Sequence, residues 1–239
     1  MNVNIWIICP FTAKLPEILV RQQLYLMAEA ILSSKKEKGW DFQERFETWN
    51  PPGDPPTTHL EREKRIALVR NHAIEDIKRE VAAGVSPPTH IIWMDADISF
   101  YKEDLFTKLV SASIDNLAVT APMVFLDHRS FKCPPGRFYD TAGFVNQEIR
   151  TGLWRPWFAG SGFGPELPEL FELDGSVGCL YCVPWKVYEK GALHEPTNGR
   201  FTEHYSVCQT ARRFGYKLLV LTKEIALHAY LPDFGIEFH

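Results

Sequence analysis

The 239-residue sequence predicts a single α/β domain, a mostly parallel sheet flanked by helices. Short apolar runs that stop at Pro or Asp read as buried strands: Asn4 to Cys9, Ile91 to Met94, Leu117 to Ala121 and Cys179 to Val183. Long segments with helical spacing separate the first of them, so the chain opens strand, helix, strand, helix, strand. The run Ile91 to Met94 then closes on Asp95-Ala96-Asp97. Two carboxylates there stand where open α/β sheets bind ligands, outside the carboxyl ends of the strands.

Taken in order, Asn4 to Cys9 is strand one and ends at Pro10. Leu15 to Lys36 has helical spacing of apolar residues (Leu15, Ile18, Leu19, Leu24, Leu26, Met27, Ala30, Ile31), with Gly39 as its stop. Asp41 to Trp49 is a second strand, and the Pro-rich Asn50 to Thr58 is a surface loop. Leu60 to Ala83 is the second long helix, with Ile66, Val69, Ala73, Ile77 and Val81 as its stripe. After the carboxylates come a helix from Lys102 to Ser113 and a strand from Leu117 to Ala121 that stops at Pro122. Phe125 to Trp157 has no clear period, and Gly160 to Gly164 reads as a flexible loop. Cys179 to Val183 is a strand, and Pro184-Trp185 opens a helix to Lys190. Thr202 to Phe214 is a last helix, N-capped by Thr202 and ended by Gly215. Lys217 to Leu221 is a strand, and Ala226-Leu227-His228 follows it.

A net charge of −4 and no basic stripe exclude an electrostatic case for nucleic acid or an anionic membrane. No run reaches the ~20 apolar residues of a membrane span, and no leader is visible ahead of the first strand, so a cytoplasmic protein is expected. Five scattered cysteines point to free thiols in a reducing compartment. Seven Trp among 13% aromatics fit a protein that stacks on sugar or base rings, and fit a Trp-rich core equally.

Asp95 and Asp97 must be solvated, paired or metal-bound, because an unpaired buried charge is costly. Two carboxylates at a strand end suit a hard divalent cation, which in turn suits a diphosphate. Arg70-Asn71 lies on the preceding helix and, taken alone, reads as a solvated face. Glu203 and His204 open the last long helix, where Glu203 favours the dipole. His228, inside an apolar run, reads as a satisfied core histidine. Cys179 and Cys182 lack a second ligand pair for zinc and read as buried thiols. Gly160 to Gly164 is neither a phosphate loop nor a nucleophile elbow.

The order of these pieces resembles metal-dependent glycosyltransferases of the GT-A fold, from Ile5 to about Pro232. Within that fold the chain most resembles the yeast mannan-polymerase mannosyltransferase family. The matching segments are Val69-Arg70-Asn71-His72-Ala73, Ile92-Trp93-Met94-Asp95-Ala96-Asp97-Ile98 and the region Val177 to Gly215, with His228 in the place of a late histidine. Glycosyltransferases of large algal viruses share the general layout. The resemblance implies a nucleotide-binding half over 1–121 and an acceptor and sugar half over 122–239. It implies Mn²⁺ or Mg²⁺ held by Asp95, Asp97 and His228, with Asp97 the more direct ligand and the metal bridging the donor diphosphate. Pro10, Phe11 and Thr12 would border the base and ribose, Arg70 would reach the nucleotide or phosphates, and Asn71 the ribose or donor sugar. Ala96 would sit between the two carboxylates, and Asp174, Gly175 and Glu203 would face sugar and acceptor.

One departure bears on the chemistry. Many inverting relatives begin the last helix Glu-Asp, with the Asp as general base, whereas this chain has Glu203-His204. Glu203 or His204 would then act instead, or the enzyme retains anomeric configuration; retention is the expectation taken from the family. The expected partners are a nucleoside-diphosphate sugar, UDP-glucose or GDP-mannose in type, and a glycan or glycoprotein hydroxyl. Trp154, Trp157 and Phe158 are candidates for stacking an acceptor sugar. The alternatives are a nucleotidyltransferase making the activated sugar, disfavoured because Pro10 to Lys14 has no Gly, and an inactive carbohydrate-binding protein of the same fold.

Overall fold

The computed structural model describes residues 2–10, 15–53, 56, 58–127, 168–197 and 202–229. Phe11 and Thr12, and the stretch holding Trp154, Trp157, Phe158 and Gly160 to Gly164, lie outside the described residues. The elements run β1 (Asn4–Pro10), α1 (Glu17–Lys38), β2 (Asp41–Glu47), α2 (His59–Ala82), β3 (His90–Met94), β4 (Ile98–Tyr101), α3 (Leu105–Asn116), β5 (Ala118–Asp127), β6 (Leu170–Leu173), β7 (Leu180–Pro184), α4 (Trp185–Glu189), α5 (His204–Arg213) and β8 (Lys217–Ala229).

Among the described residues the strands form one eight-stranded sheet in the order β2-β1-β3-β7-β5-β8-β4, with β6 added on β8. β2, β1, β3, β5 and β8 run one way; β7 enters antiparallel between β3 and β5, and β4 and β6 run antiparallel to β8. Helices cover both faces of the central strands, which is why β1, β3, β5 and β7 read as apolar runs, while β2 and β6 do not. Trp6, Ile8, Ile91 and Trp93 pack with Ile74 and Ile77 of α2 and Val207 of α5. The alternate residues Ile5, Ile7, Ile92 and Met94 pack on the other face with Met27 and Ile31 of α1 and Phe106 and Leu109 of α3.

Four expectations are corrected. β5 does not stop at Pro122 but continues to Asp127; its pairing with β8 shifts register between Pro122 and Met123, which accommodates a residue with no N–H to donate. β8 likewise runs on through His228 to Ala229. α5 begins at His204, and Thr202 does not cap it: the Thr202 hydroxyl is buried without a hydrogen-bond partner. In α1 the buried face is Leu19, Gln23, Met27, Ala30, Ile31 and Ser34, while Ile18 and Leu24 face outward. The structure also adds β4 and β6, each four residues and too short to show a period in the sequence.

α2 starts at a capping box: Thr58 accepts from the Glu61 N–H, and Glu61 accepts from the Thr58 N–H. Cys9, Cys179, Cys182 and Cys208 are buried and not disulfide-bonded, as the scattered cysteines lead one to expect. Among the described residues no helix is long and apolar enough to cross a membrane.

Candidate active site

The candidate site is built at the carboxyl end of β3. The turn Asp95-Ala96-Asp97 is pinned by its backbone: the Asp95 N–H donates to Cys179 (2.8 Å), Gln23 donates to the Asp95 carbonyl (2.9 Å), and the Ala229 N–H donates to the Asp97 carbonyl (2.7 Å). Such anchoring fixes where both carboxylates can point.

Asp97 meets His228. The strand β4 leaves the turn at Ile98 and pairs antiparallel with β8, with Ile98 opposite His228. That register brings His228 Nε2 within 3.0 Å of Asp97 Oδ1. Nδ1 of the same ring lies 3.0 Å from the Ala229 carbonyl, so Nδ1 carries the hydrogen and Nε2 is the nitrogen turned to Asp97. Burial disfavours a charged His228, but Asp97 outweighs burial and the imidazole pKa rises. Burial likewise pushes Asp97 up, and His228 overcomes it, so the carboxyl lies below its ordinary range.

Asp95 turns the other way, to α2. Arg70 is only 1% exposed. Its Nη2 donates to Asp95 (2.5 Å) and its Nε to Glu203 at the start of α5 (3.0 Å). One buried guanidinium thus joins two carboxylates that are far apart in the sequence. Burial works against its charge, yet Asp95, followed by Tyr181 and Glu203, holds its pKa above the ordinary value. Burial raises Asp95, and Arg70 offsets part of that rise. The guanidinium also lies 5.0 Å from the Trp93 ring centroid, a cation–π distance.

Glu203 leads into a buried aromatic and histidine network. His204 Nε2 is 3.4 Å from Glu203, and its Nδ1 is 3.0 Å from the Tyr181 hydroxyl. Burial, then Arg70, pushes the His204 pKa down to about 3, so the ring is neutral. A neutral ring accepts from Tyr181 at Nδ1 and turns its N–H toward Glu203. Next to it, Trp93 donates to the Tyr188 hydroxyl (2.6 Å), which lies 3.3 Å from His194. Asn71 holds the His194 backbone in both directions, donating to its carbonyl and accepting from its N–H, each at 2.8 Å.

Asp97 and His228 are therefore together, Arg70, Asp95, Glu203 and His204 form a second connected group beside them, and Asn71 anchors the loop after α4. Pro10 is the last residue of β1 and lies opposite Glu47 of β2. Asp174 follows β6, and its carbonyl, with that of Gly175, accepts from Gln209 of α5.

By type, two carboxylates and an imidazole suit a divalent ion such as Mn²⁺, and the Nδ1 contact to Ala229 orients Nε2 as a ligating nitrogen requires, but the Asp95 donors do not join those of Asp97 and His228 within 4.8 Å. Asp97 and His228 offer adjacent donor atoms, while one Asp95 oxygen is committed to Arg70.

A three-residue set that the sequence does not reveal lies at the end of β2. Glu47, His72 and Asp76 bring one donor atom each within 4.8 Å of one another. His72 is stacked on Trp49 at 4.3 Å, and Arg45 bonds Asp76 at 2.8 Å. His72 and Asp76 are spaced i, i+4 on α2, a spacing visible in the sequence; their union with Glu47 comes from the placement of β2.

No protein-family model matches the chain, and no curated protein matches it. A solved structure of GalNAc-T7 with UDP, GalNAc and Mn²⁺ matches in three dimensions with a TM-score of 0.52 at 12% identity, over 96% of this chain. The chain spans 43% of that protein's length. The eight-stranded mixed sheet with helices on both faces, matched by this neighbour, is a GT-A-like fold.

Proposed function

We propose that the chain is a metal-dependent glycosyltransferase. It moves a hexose from a nucleoside-diphosphate sugar, UDP-glucose or GDP-mannose in type, to a hydroxyl of a glycan or glycoprotein. The observation that carries this reading is the Asp97–His228 contact of 3.0 Å beside Asp95, at the carboxyl ends of the parallel strands. The GalNAc-T7 neighbour, whose structure holds UDP and Mn²⁺, supports it through the fold.

In this reading Asp97 and His228 hold Mn²⁺ or Mg²⁺, with Asp95 contributing its free oxygen. When bound, the ion supplies Lewis-acid stabilisation of the leaving diphosphate. Pro10, at the end of β1, borders the nucleotide. Asp174 and Gly175 lie toward the sugar and acceptor. Arg70 fixes the direction of Asp95 and neutralises the buried Glu203 beside it. Glu203 is already engaged by Arg70, and His204 is neutral and hydrogen-bonded to Tyr181. That engagement favours retention of configuration over general-base catalysis by either residue.

Calorimetry with UDP and with GDP, each with Mn²⁺ and with EDTA, tests the reading. Binding of one nucleotide only when Mn²⁺ is present is the expected result. Metal-independent binding, or none, removes the central claim.

A further inference from the structure

α1 carries apolar residues on two opposite faces, and the sheet covers only one. Gln23, Met27, Ala30 and Ser34 point into the protein. Across the helix, Ile18, Tyr25 and Leu32 are 66%, 64% and 62% exposed. They recur every seven residues. At 3.6 residues per turn they lie within about 20° of one line, the line farthest from the core. Leu24 and Ala28, both exposed, widen the ridge on one side. A helix facing solvent normally shows charge along this line; an apolar stripe there gives a second helix a surface to pack on.

The charges beside the ridge say which partner fits. Arg21 and Glu29 flank it and are equally distant in sequence from Tyr25, as are Ile18 and Leu32. The first turn of α1 is acidic, at Glu17, and the last is basic, at Lys35, Lys36 and Lys38. Two such helices packed antiparallel about Tyr25 set Ile18 of each copy on Leu32 of the other. They also set Arg21 on Glu29 and each basic end over the opposite acidic end. A parallel pairing puts Glu29 on Glu29 and Lys36 on Lys36. An anionic lipid surface meets Glu17 and Glu29 along the ridge and is disfavoured by them.

We propose that this face of α1 is the docking surface for a second copy of the chain, in a two-fold antiparallel helix pair centred on Tyr25. The contact is isologous, so each residue change acts twice. Arg21, which bonds Glu17 within its own helix at 2.6 Å, remains exposed and within reach of the partner helix.

Sedimentation velocity over a concentration series tests this on the full chain. The wild-type chain dimerises in a concentration-dependent way, and Tyr25→Glu is monomeric with unchanged circular dichroism. Arg21→Glu weakens dimerisation by about tenfold, because two attractions become two repulsions. Adding Glu29→Arg to Arg21→Glu restores it. A wild-type chain that stays monomeric throughout, with or without vesicles of anionic lipid, overturns the proposal. So does a dimer indifferent to Tyr25→Glu, or one that the double charge swap fails to restore.

Discussion

Arg70 and Glu203 are 133 residues apart in the sequence and 3.0 Å apart in the structure, both buried. The same guanidinium holds Asp95. α2, the end of β3 and the start of α5 are thereby joined through one cation. With His204 neutral, Arg70 is the charge that compensates the buried Glu203 and the half-buried Asp95. The arrangement ties the geometry of the Asp95 turn to that of the helix expected to face the acceptor.

Removing that cation strands both carboxylates. Arg70→Met should cost about 3–5 kcal/mol of stability, the range for breaking a buried ion pair. Arg70→Lys should fall between Met and wild type, since an ammonium keeps the charge but not the fork that serves two directions. Urea unfolding of the three proteins measures this. A midpoint for Arg70→Met equal to that of wild type would show that water, not Arg70, solvates Asp95 and Glu203.

Asp97 controls both the charge of His228 and the proposed ion. In Asp97→Asn the attraction that raises the His228 pKa is gone while burial remains. The imidazole pKa should therefore drop below its ordinary value, as read by NMR titration of the metal-free protein. Manganese affinity, measured by electron paramagnetic resonance, should fall by at least the ~100-fold upper end seen for supporting groups around metals. An unchanged affinity would place the ion elsewhere, with Glu47, His72 and Asp76 the next set to test.

His90 sets an acid limit on stability. It opens β3, is buried, and burial pushes its pKa down from 6.5 to about 4. The unfolded chain therefore takes up this proton before the folded chain does. His90's contribution is complete above the unfolded value and is lost as pH falls from about 6.5 to about 4. The loss amounts to about 3 kcal/mol at most, since each tenfold change in proton affinity is worth about 1.4 kcal/mol. His194 and His204 are shifted in the same direction by burial and add to the slope. His90→Asn should flatten the fall in stability between about pH 6.5 and about pH 4.5 without abolishing it. An identical pH profile for the variant would show that His90 does not enter the folded state neutral.

The strands and long helices are legible because each buries a face: Ile5 to Cys9 and Ile91 to Met94 are apolar on both sides, and α2 carries its stripe, while its capping box at Thr58 and Glu61 emerges only in the structure. The direction of β7 is not legible, since Leu180-Tyr181-Cys182-Val183 is buried on both faces whether it runs parallel or antiparallel to β3. β4 is too short to show a period, yet its pairing with β8 is what carries His228 to Asp97. The sequence therefore offers the site's residues without the register that joins them. Arg70 reads as a solvated helix face for the same reason, because its two carboxylate partners lie on other elements. In α1 the spacing of apolar residues is visible, but Ile18 and Leu24 cannot be told from Leu19 and Met27 without knowing which side the sheet covers.

Asn71 imitates a strand partner, and that is open to a direct test. Its amide gives one hydrogen bond to the His194 carbonyl and takes one from the His194 N–H. His194 in turn lies against Tyr188, which accepts from Trp93. Asn71→Asp keeps the size but turns the donor into a second acceptor, leaving the His194 carbonyl facing an oxygen. The change should cost about 1–3 kcal/mol, the range for a buried polar group left without its partner. The effect should be local first: amide hydrogen exchange should accelerate over 192–197 before it does in β3 or β7. Asn71→Ala, which removes the repulsion along with the bonds, should be milder than Asn71→Asp. Equal exchange over 192–197 in all three proteins would mean that packing around His194, and not the Asn71 amide, holds this loop against α2.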